Sequence, residues 1–146
     1  MRRPTLAAIL VAILAAGCGS ANDSTPAACL DGPSFYVHGG RDGVPISDCL
    51  PPNQQAGDLA AVGLAMLTAT TRLNARARAK PGGAANLRLG YLLGAAERGA
   101  EGSEGIHDEL IRRLTAAARY SPGSRPLPAT FYRTYRSGYA AGHENG

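Results

Sequence analysis

Apolar residues follow two different patterns along this chain. From Leu6 to Ala16 they form one uninterrupted run, whereas from Leu59 onward they recur at spacings of three, four and seven, the signature of a helix with one buried side. Leu59, Val62, Met66 and Leu73 make the first stripe, with Met66 as core filling. It predicts a helix that starts near Asp58, whose carboxylate can accept free amides of the first turn, and stops at Pro81-Gly82-Gly83. A second helix is expected over about Ala84 to Ala100. A third starts after Gly105 with Asp108 and Glu109 in its first turn, burying Leu110, Ile111, Leu114, Ala117 and Ala118. Pairs four apart, Asp108 with Arg112 and Glu109 with Arg113, suit its exposed side. After the loop at 121–126, Pro128 fits the first turn of a fourth helix carrying Phe131, Tyr135, Gly138, Tyr139 and Gly142 on one face.

Upstream of Pro51-Pro52 the pattern changes. Ser34 to His38 reads as a short strand, Gly39 to Gly43 as a turn, and Val44 to Ile46 as an edge strand. Cys29 and Cys49 bracket this hairpin-like segment. The expected architecture is mainly α: a small bundle of three to four helices, preceded by a flexible tether and a short disulfide-closed segment.

One internal repeat stands out. Arg88-Leu89-Gly90-Tyr91-Leu92-Leu93-Gly94 and Arg136-Ser137-Gly138-Tyr139-Ala140-Ala141-Gly142 both read R-x-G-Y-x-x-G. Glycine costs a helix interior about 1 kcal/mol relative to alanine, so two such pairs call for a packing reason. The expectation is a close approach of the second and fourth helices across Gly90, Gly94, Gly138 and Gly142, with Tyr91 and Tyr139 beside the contact.

Composition narrows the functional classes. The chain has 146 residues with 15 basic against 11 acidic, a formal +4, and the basic residues form no single long block. That charge is too mild to imply nucleic acid. All but one of the basic residues are arginine, in a chain rich in Ala and Gly.

Arg2 and Arg3, the apolar run and the small residues after it follow the order of a secretory signal peptide, and the run is too short for the roughly 20 residues of a spanning helix. The Leu14-Ala15-Ala16-Gly17-Cys18-Gly19-Ser20 stretch resembles the lipobox of bacterial lipoproteins, although Leu is more usual three residues before the cysteine, where Ala15 stands. The resemblance implies cleavage before Cys18, lipidation of that cysteine, and attachment to the outer side of a bacterial membrane. With Gly19 rather than Asp after the cysteine, it implies outer-membrane sorting in a Gram-negative host. Domain organisation then reads 1–17 signal peptide, 18–28 lipidated cysteine and tether, 29–56 closed segment, 57–146 helical domain.

Cys29 and Cys49, left in an oxidising compartment, are expected to pair. A zinc site with His38 and Asp48 offers acceptable ligand types, but no two ligands share one turn, so neither metal nor cofactor is expected. His107 beside Asp108 and Glu109 admits an acid/base reading, yet acids in a first helical turn also simply complement the dipole, and His143 lies in a stretch expected to fray. No catalytic motif is present. Tyr132, Arg133 and Arg136, off the apolar face of the fourth helix, are candidate interaction residues, since Tyr and Arg are enriched at interface hot spots. The sequence therefore points to a membrane-tethered protein-binding or structural helical module, with an envelope protein as the candidate partner and no nucleic acid. The alternative is a small envelope hydrolase or metal-dependent enzyme using His107.

Overall fold

The computed structural model describes residues 24–41 and 43–146; the leader, the cleavage motif and Cys18 lie outside the described residues. Wherever the sequence carries a helical period, a helix forms. Naming helices in chain order, α1 is Pro33–His38, α2 Ala56–Ala79, α3 Ala84–Ala100, α4 Asp108–Arg119 and α5 Ala129–Asn145. None of these is long and apolar enough to cross a membrane.

The expected strand at Ser34 to His38 is instead α1. Pro33 supplies the fixed φ of a first helical residue, and Gly39 closes the helix at φ 86°, its amide donating to the carbonyls of Phe35 and Tyr36. Phe35, Tyr36 and Val37 are all buried, and three adjacent buried residues do not fit the alternation of a strand. Of the hairpin only one antiparallel bridge remains, Arg41 to Val44. The cysteines pair as expected, Cys29 to Cys49 with 5.5 Å between Cα atoms. That closes a loop worth on the order of 3 kcal/mol in the chain-entropy account. The Tyr36 hydroxyl donates to the Cys29 carbonyl at 2.7 Å. Thr25 bonds Gln54, and Ala27–Leu30 form a 3-10 turn, so the chain is already packed from about Thr25, earlier than the tether reading to residue 28 implied.

Two smaller expectations also change. Asp58 lies in the first turn of α2 but caps nothing, because the helix begins two residues earlier with Gln55 at the cap position. On α4 the ion pair is Glu109 with Arg112 at 2.7 Å, three residues apart, rather than the pairs four apart. Only Leu114 and Ala118 of its stripe are fully buried, with Leu110, Ile111 and Ala117 half-buried.

Short connections make the four long helices run up and down in turn. The α2 and α4 helices are parallel: Gly63 faces Leu110, and further along Asn74 bonds the carbonyls of Ala117 and Tyr120. Val62, Met66 and Leu73 of α2, Leu89, Leu92 and Leu93 of α3, and Leu114 of α4 fill the space between them.

The α3 and α5 helices also run parallel, and the two R-x-G-Y-x-x-G repeats meet there in register. A Cβ added at Gly90 would overlap the Tyr135 carbonyl, and one at Gly138 the Leu87 carbonyl; likewise Gly94 faces the Tyr139 carbonyl and Gly142 that of Tyr91. Tyr135 and Leu87 each directly precede the Arg of their repeat, so the contacts are reciprocal and the repeats are related by a local two-fold. Backbones this close gain dispersion along their length and weak Cα–H···O contacts.

Gly94→Ala and Gly142→Ala should each lower stability by about 1–3 kcal/mol, the usual cost of forcing atoms into a packed contact. Gly57→Ala in α2, where an added Cβ meets nothing within 4 Å, should instead raise it by up to about 1 kcal/mol. Urea titration of the three variants beside wild type reads the signs. Stabilisation by Gly94→Ala would refute the close contact.

Candidate functional site

One residue spacing around α5 from its glycines lies a second stripe, whose backbone touches Gly90 and Gly94 of α3 and whose side chains form an aromatic ladder. Phe131, Tyr135, Tyr139 and His143, four apart, stack in sequence with ring centroids 6.5, 6.4 and 6.1 Å from one another. Because α5 rests on α3, this ladder faces the side where α4 ends. Between them runs an open groove of about 540 Å³ whose walls include Thr115, Ala118 and Arg119 of α4, Leu127 of the connection, Phe131, Tyr132, Tyr135, Arg136 and Tyr139 of α5, with Arg78 of α2 and Glu97 of α3.

Polar contacts hold the groove's ends in place. At one end Asn74, 4 % exposed, donates to the carbonyls of Ala117 and Tyr120 at 3.0 and 2.8 Å, satisfying acceptors that the end of α4 leaves free. Arg78, one turn on, donates to Asn74 Oδ1, Ser121 Oγ and the Arg119 carbonyl, and its guanidinium lies 5.9 Å from the centre of the Phe131 ring. At the other end, Arg98 of α3 donates to the carbonyls of His143 and Glu144, where cationic donors complement the helix C-terminus. His143 meets Glu101 at 2.7 Å, so it is held rather than frayed.

The ladder's phenols stay neutral. Tyr139 donates to the Glu97 carboxylate, and that bond, with burial, pushes its pKa up to about 12. Burial first, then the Glu97 charge, raises Tyr135. A neutral aromatic wall with a fixed carboxylate at one point and arginines along the rim offers stacking, apolar burial and charge. It holds no nucleophile matched to a base, and among the described residues no three His, Cys, Asp or Glu side chains cluster to bind a metal.

The sequence candidates fall unevenly around this site. Tyr132, 52 % exposed, and Arg136 stand on the groove wall, and Tyr139 in its floor; Arg133 is exposed but outside the lining. Tyr91, the counterpart of Tyr139 in the other repeat, lies beside Gly39, where an added Cβ would come within van der Waals contact of its ring. Asn74, Arg78 and Glu97 were not singled out in the sequence, although Asn74 and Arg78 lie four apart beside the apolar stripe of α2, a placement that hints at a buried polar pair. His38 is exposed and Asp48 lies at the surface, while both cysteines are bonded to each other, so the zinc reading has no ligand set.

His107 departs most from expectation. It is fully buried at the start of α4, not solvated: Nε2 donates to Gln54 Oε1 at 2.9 Å, while Gln54 donates to the Cys49 carbonyl and to Thr25. Nδ1 is buried without a partner. Burial outweighs the Asp108 charge and lowers the His107 pKa, leaving a neutral ring that joins the N-terminal segment to the bundle with no opening to a substrate. Comparison with protein-family models, curated proteins and solved structures finds no match to this chain.

The lowered pKa fixes a sign. Below about pH 6.5 the unfolded chain takes up a proton at His107 that the folded protein excludes, so the stability this neutral histidine supplies is present at pH 7 and is lost as pH falls. Melting temperatures from pH 7.5 to 5 should decline more steeply for wild type than for His107→Gln. Parallel declines would mean that the ring protonates freely in the fold.

Proposed function

We propose that this chain is a lipid-anchored protein of the bacterial envelope whose helical domain binds another protein through the groove between α4 and α5. The anchor rests on the Leu14-Ala15-Ala16-Gly17-Cys18 motif, and the binding role on the aromatic ladder, which is the observation that carries the reading. Aromatic side chains with little conformational entropy to lose, flanked by arginines, are what interface hot spots are made of. Phe131 is 5 % exposed and Tyr135 half-buried, so part of the wall is already dry, and Tyr132 projects beside it. Catalysis has less support, since the alternative needs His107 to reach a substrate and the ring is buried on Gln54.

The geometry of attachment suits this role. Ser24 lines a hollow with Arg98, Gly99 and Gly102, at the end of the bundle where α3 finishes. The six residues from Cys18 to Ser24 span at most about 20 Å. A lipid on Cys18, with two or more acyl chains for stable anchoring, keeps that end near its bilayer. The α2 helix, at about 1.5 Å per residue, carries the opposite end roughly 35 Å further out. The open end of the groove, beside Tyr132 and Leu127, then faces away from the membrane.

Intact mass and membrane fractionation of the full-length protein beside Cys18→Ser, in a bacterium that processes lipoproteins, test the anchor. Wild type should gain the mass of a diacylglyceryl group, lose residues 1–17 and pellet with membranes, while the variant should not be acylated. Equal, unmodified masses would end the lipoprotein reading.

A further inference from the structure

The fold sorts a nearly balanced charge into two opposed ends. Two stretches of the sequence contain no acidic residue, 68–96 with five basic residues and 114–143 with four. The first runs from the second half of α2 into α3, the second from the end of α4 through most of α5. In an up-and-down bundle their basic parts meet at one end, where Gly82 faces Thr130 and Arg78 bonds Ser121 at 2.9 Å. Of these nine residues all but Arg78 are exposed, and among the described residues none takes part in a salt bridge. Asp48, Asp58, Glu97, Glu101, Glu104, Asp108, Glu109 and Glu144 lie towards the other end, where they outnumber Arg98, Arg112 and Arg113. The aromatic groove runs into the basic end, with Arg78, Arg119 and Arg136 on its walls, while its one carboxylate, Glu97, lies towards the other end and accepts from Tyr139.

We infer that this end receives an acidic segment of a partner polypeptide bearing an aromatic or aliphatic side chain. Its carboxylates would pair with Arg119 and Arg136, and the apolar side chain would enter against Phe131, Tyr132 and Tyr135. Charge complementarity selects an anion, and arginine, which makes up eight of the nine, matches carboxylates in bidentate fashion. The groove favours a polypeptide: a phosphate polymer would use the arginines and leave the aromatic wall wet, and a bilayer would meet the projecting Tyr120 and Tyr132 while leaving the recessed Phe131 unused, so the vesicle probe separates the two. The inference rests on the protein-binding reading and is independent of the lipid anchor.

The test uses the purified full-length Cys18→Ser protein and four probes: polyglutamate, a random glutamate–tyrosine copolymer of equal length, a short DNA duplex, and phosphatidylglycerol-containing vesicles. The copolymer should bind about tenfold or more tighter than polyglutamate, by burial of one aromatic side chain, and both should weaken as salt rises. Tyr132→Ala should reduce copolymer binding to the polyglutamate level. Arg119→Glu with Arg136→Glu should abolish both, with melting temperature unchanged, since these side chains are exposed. Equal binding of copolymer and polyglutamate would overturn the role of the groove. DNA or vesicles bound as tightly as the copolymer would make the end a general polyanion or bilayer surface, and no binding of any probe would overturn the inference outright. The broader protein-binding reading fails separately, if a photo-crosslinking residue at position 132 in living cells captures no protein.

Discussion

The contact of α3 with α5 through four glycines sets the rest of the arrangement. A helix normally keeps its neighbour 8–10 Å away with side chains; here Gly90 and Gly94 lie under the carbonyls of α5, and Gly138 and Gly142 under those of α3. That closeness uses a flat strip of α5 and leaves the adjacent stripe, Phe131 to His143, beside the contact, with the groove between it and the end of α4. The ladder therefore borders the groove, with Phe131 in the core and Tyr135 and Tyr139 packed against it. A bulky residue at any of the four glycines would push α5 outward and move the aromatic wall with it. The glycines that lower the intrinsic helix propensity of α5 are thus the ones that set where its aromatic stripe lies.

Two polar pairs, each with at least one buried member, fix the pieces that this contact does not reach. Asn74 and Arg78 consume the free carbonyls at the end of α4 and tie down the connection to α5, which determines the groove's opposite wall. Gln54 and His107 join the disulfide-closed segment to the start of α4. Such groups cost stability when left alone and specify one arrangement when satisfied. The unpartnered Nδ1 of His107 is the exception, and it makes this joint the acid-sensitive one.

Much of the bundle was legible in the sequence because its punctuation is local. Pro81-Gly82-Gly83, Gly105 and Pro128 mark helix ends, the period from Leu59 onward marks faces, and the repeated R-x-G-Y-x-x-G marks the glycine contact. The misread parts are either too short to show a period or depend on partners far away in the chain. Ser34 to His38 has an apolar centre too short to choose a period, and the helix is decided by Pro33 and Gly39 on its flanks together with burial on three successive residues. His107 sits in a run of Gly, Asp and Glu that looks solvated, and only the approach of Gln54, 53 residues away, buries it. The grouping of glycines and aromatics on one face of α5 was right about the side and too coarse to separate the two stripes that do different work.

The charge separation was invisible for the same reason, since residues 72–88 and 119–136 become neighbours only through the topology. Helix dipoles do not account for it: each end of an up-and-down bundle presents two N-termini and two C-termini, so their fields largely cancel. Stability does not ask for it either, because like charges gathered at one end repel one another. A genome rich in arginine codons would explain why the cations are arginines, yet it does not place the acids at the opposite end. What the arrangement does provide is a positive field at the end remote from Ser24, beside the aromatic groove. Long-range attraction can then bring an acidic partner to the arginines, and the recessed rings can hold it once there, a division of labour in which charge governs the encounter and apolar burial governs the lifetime.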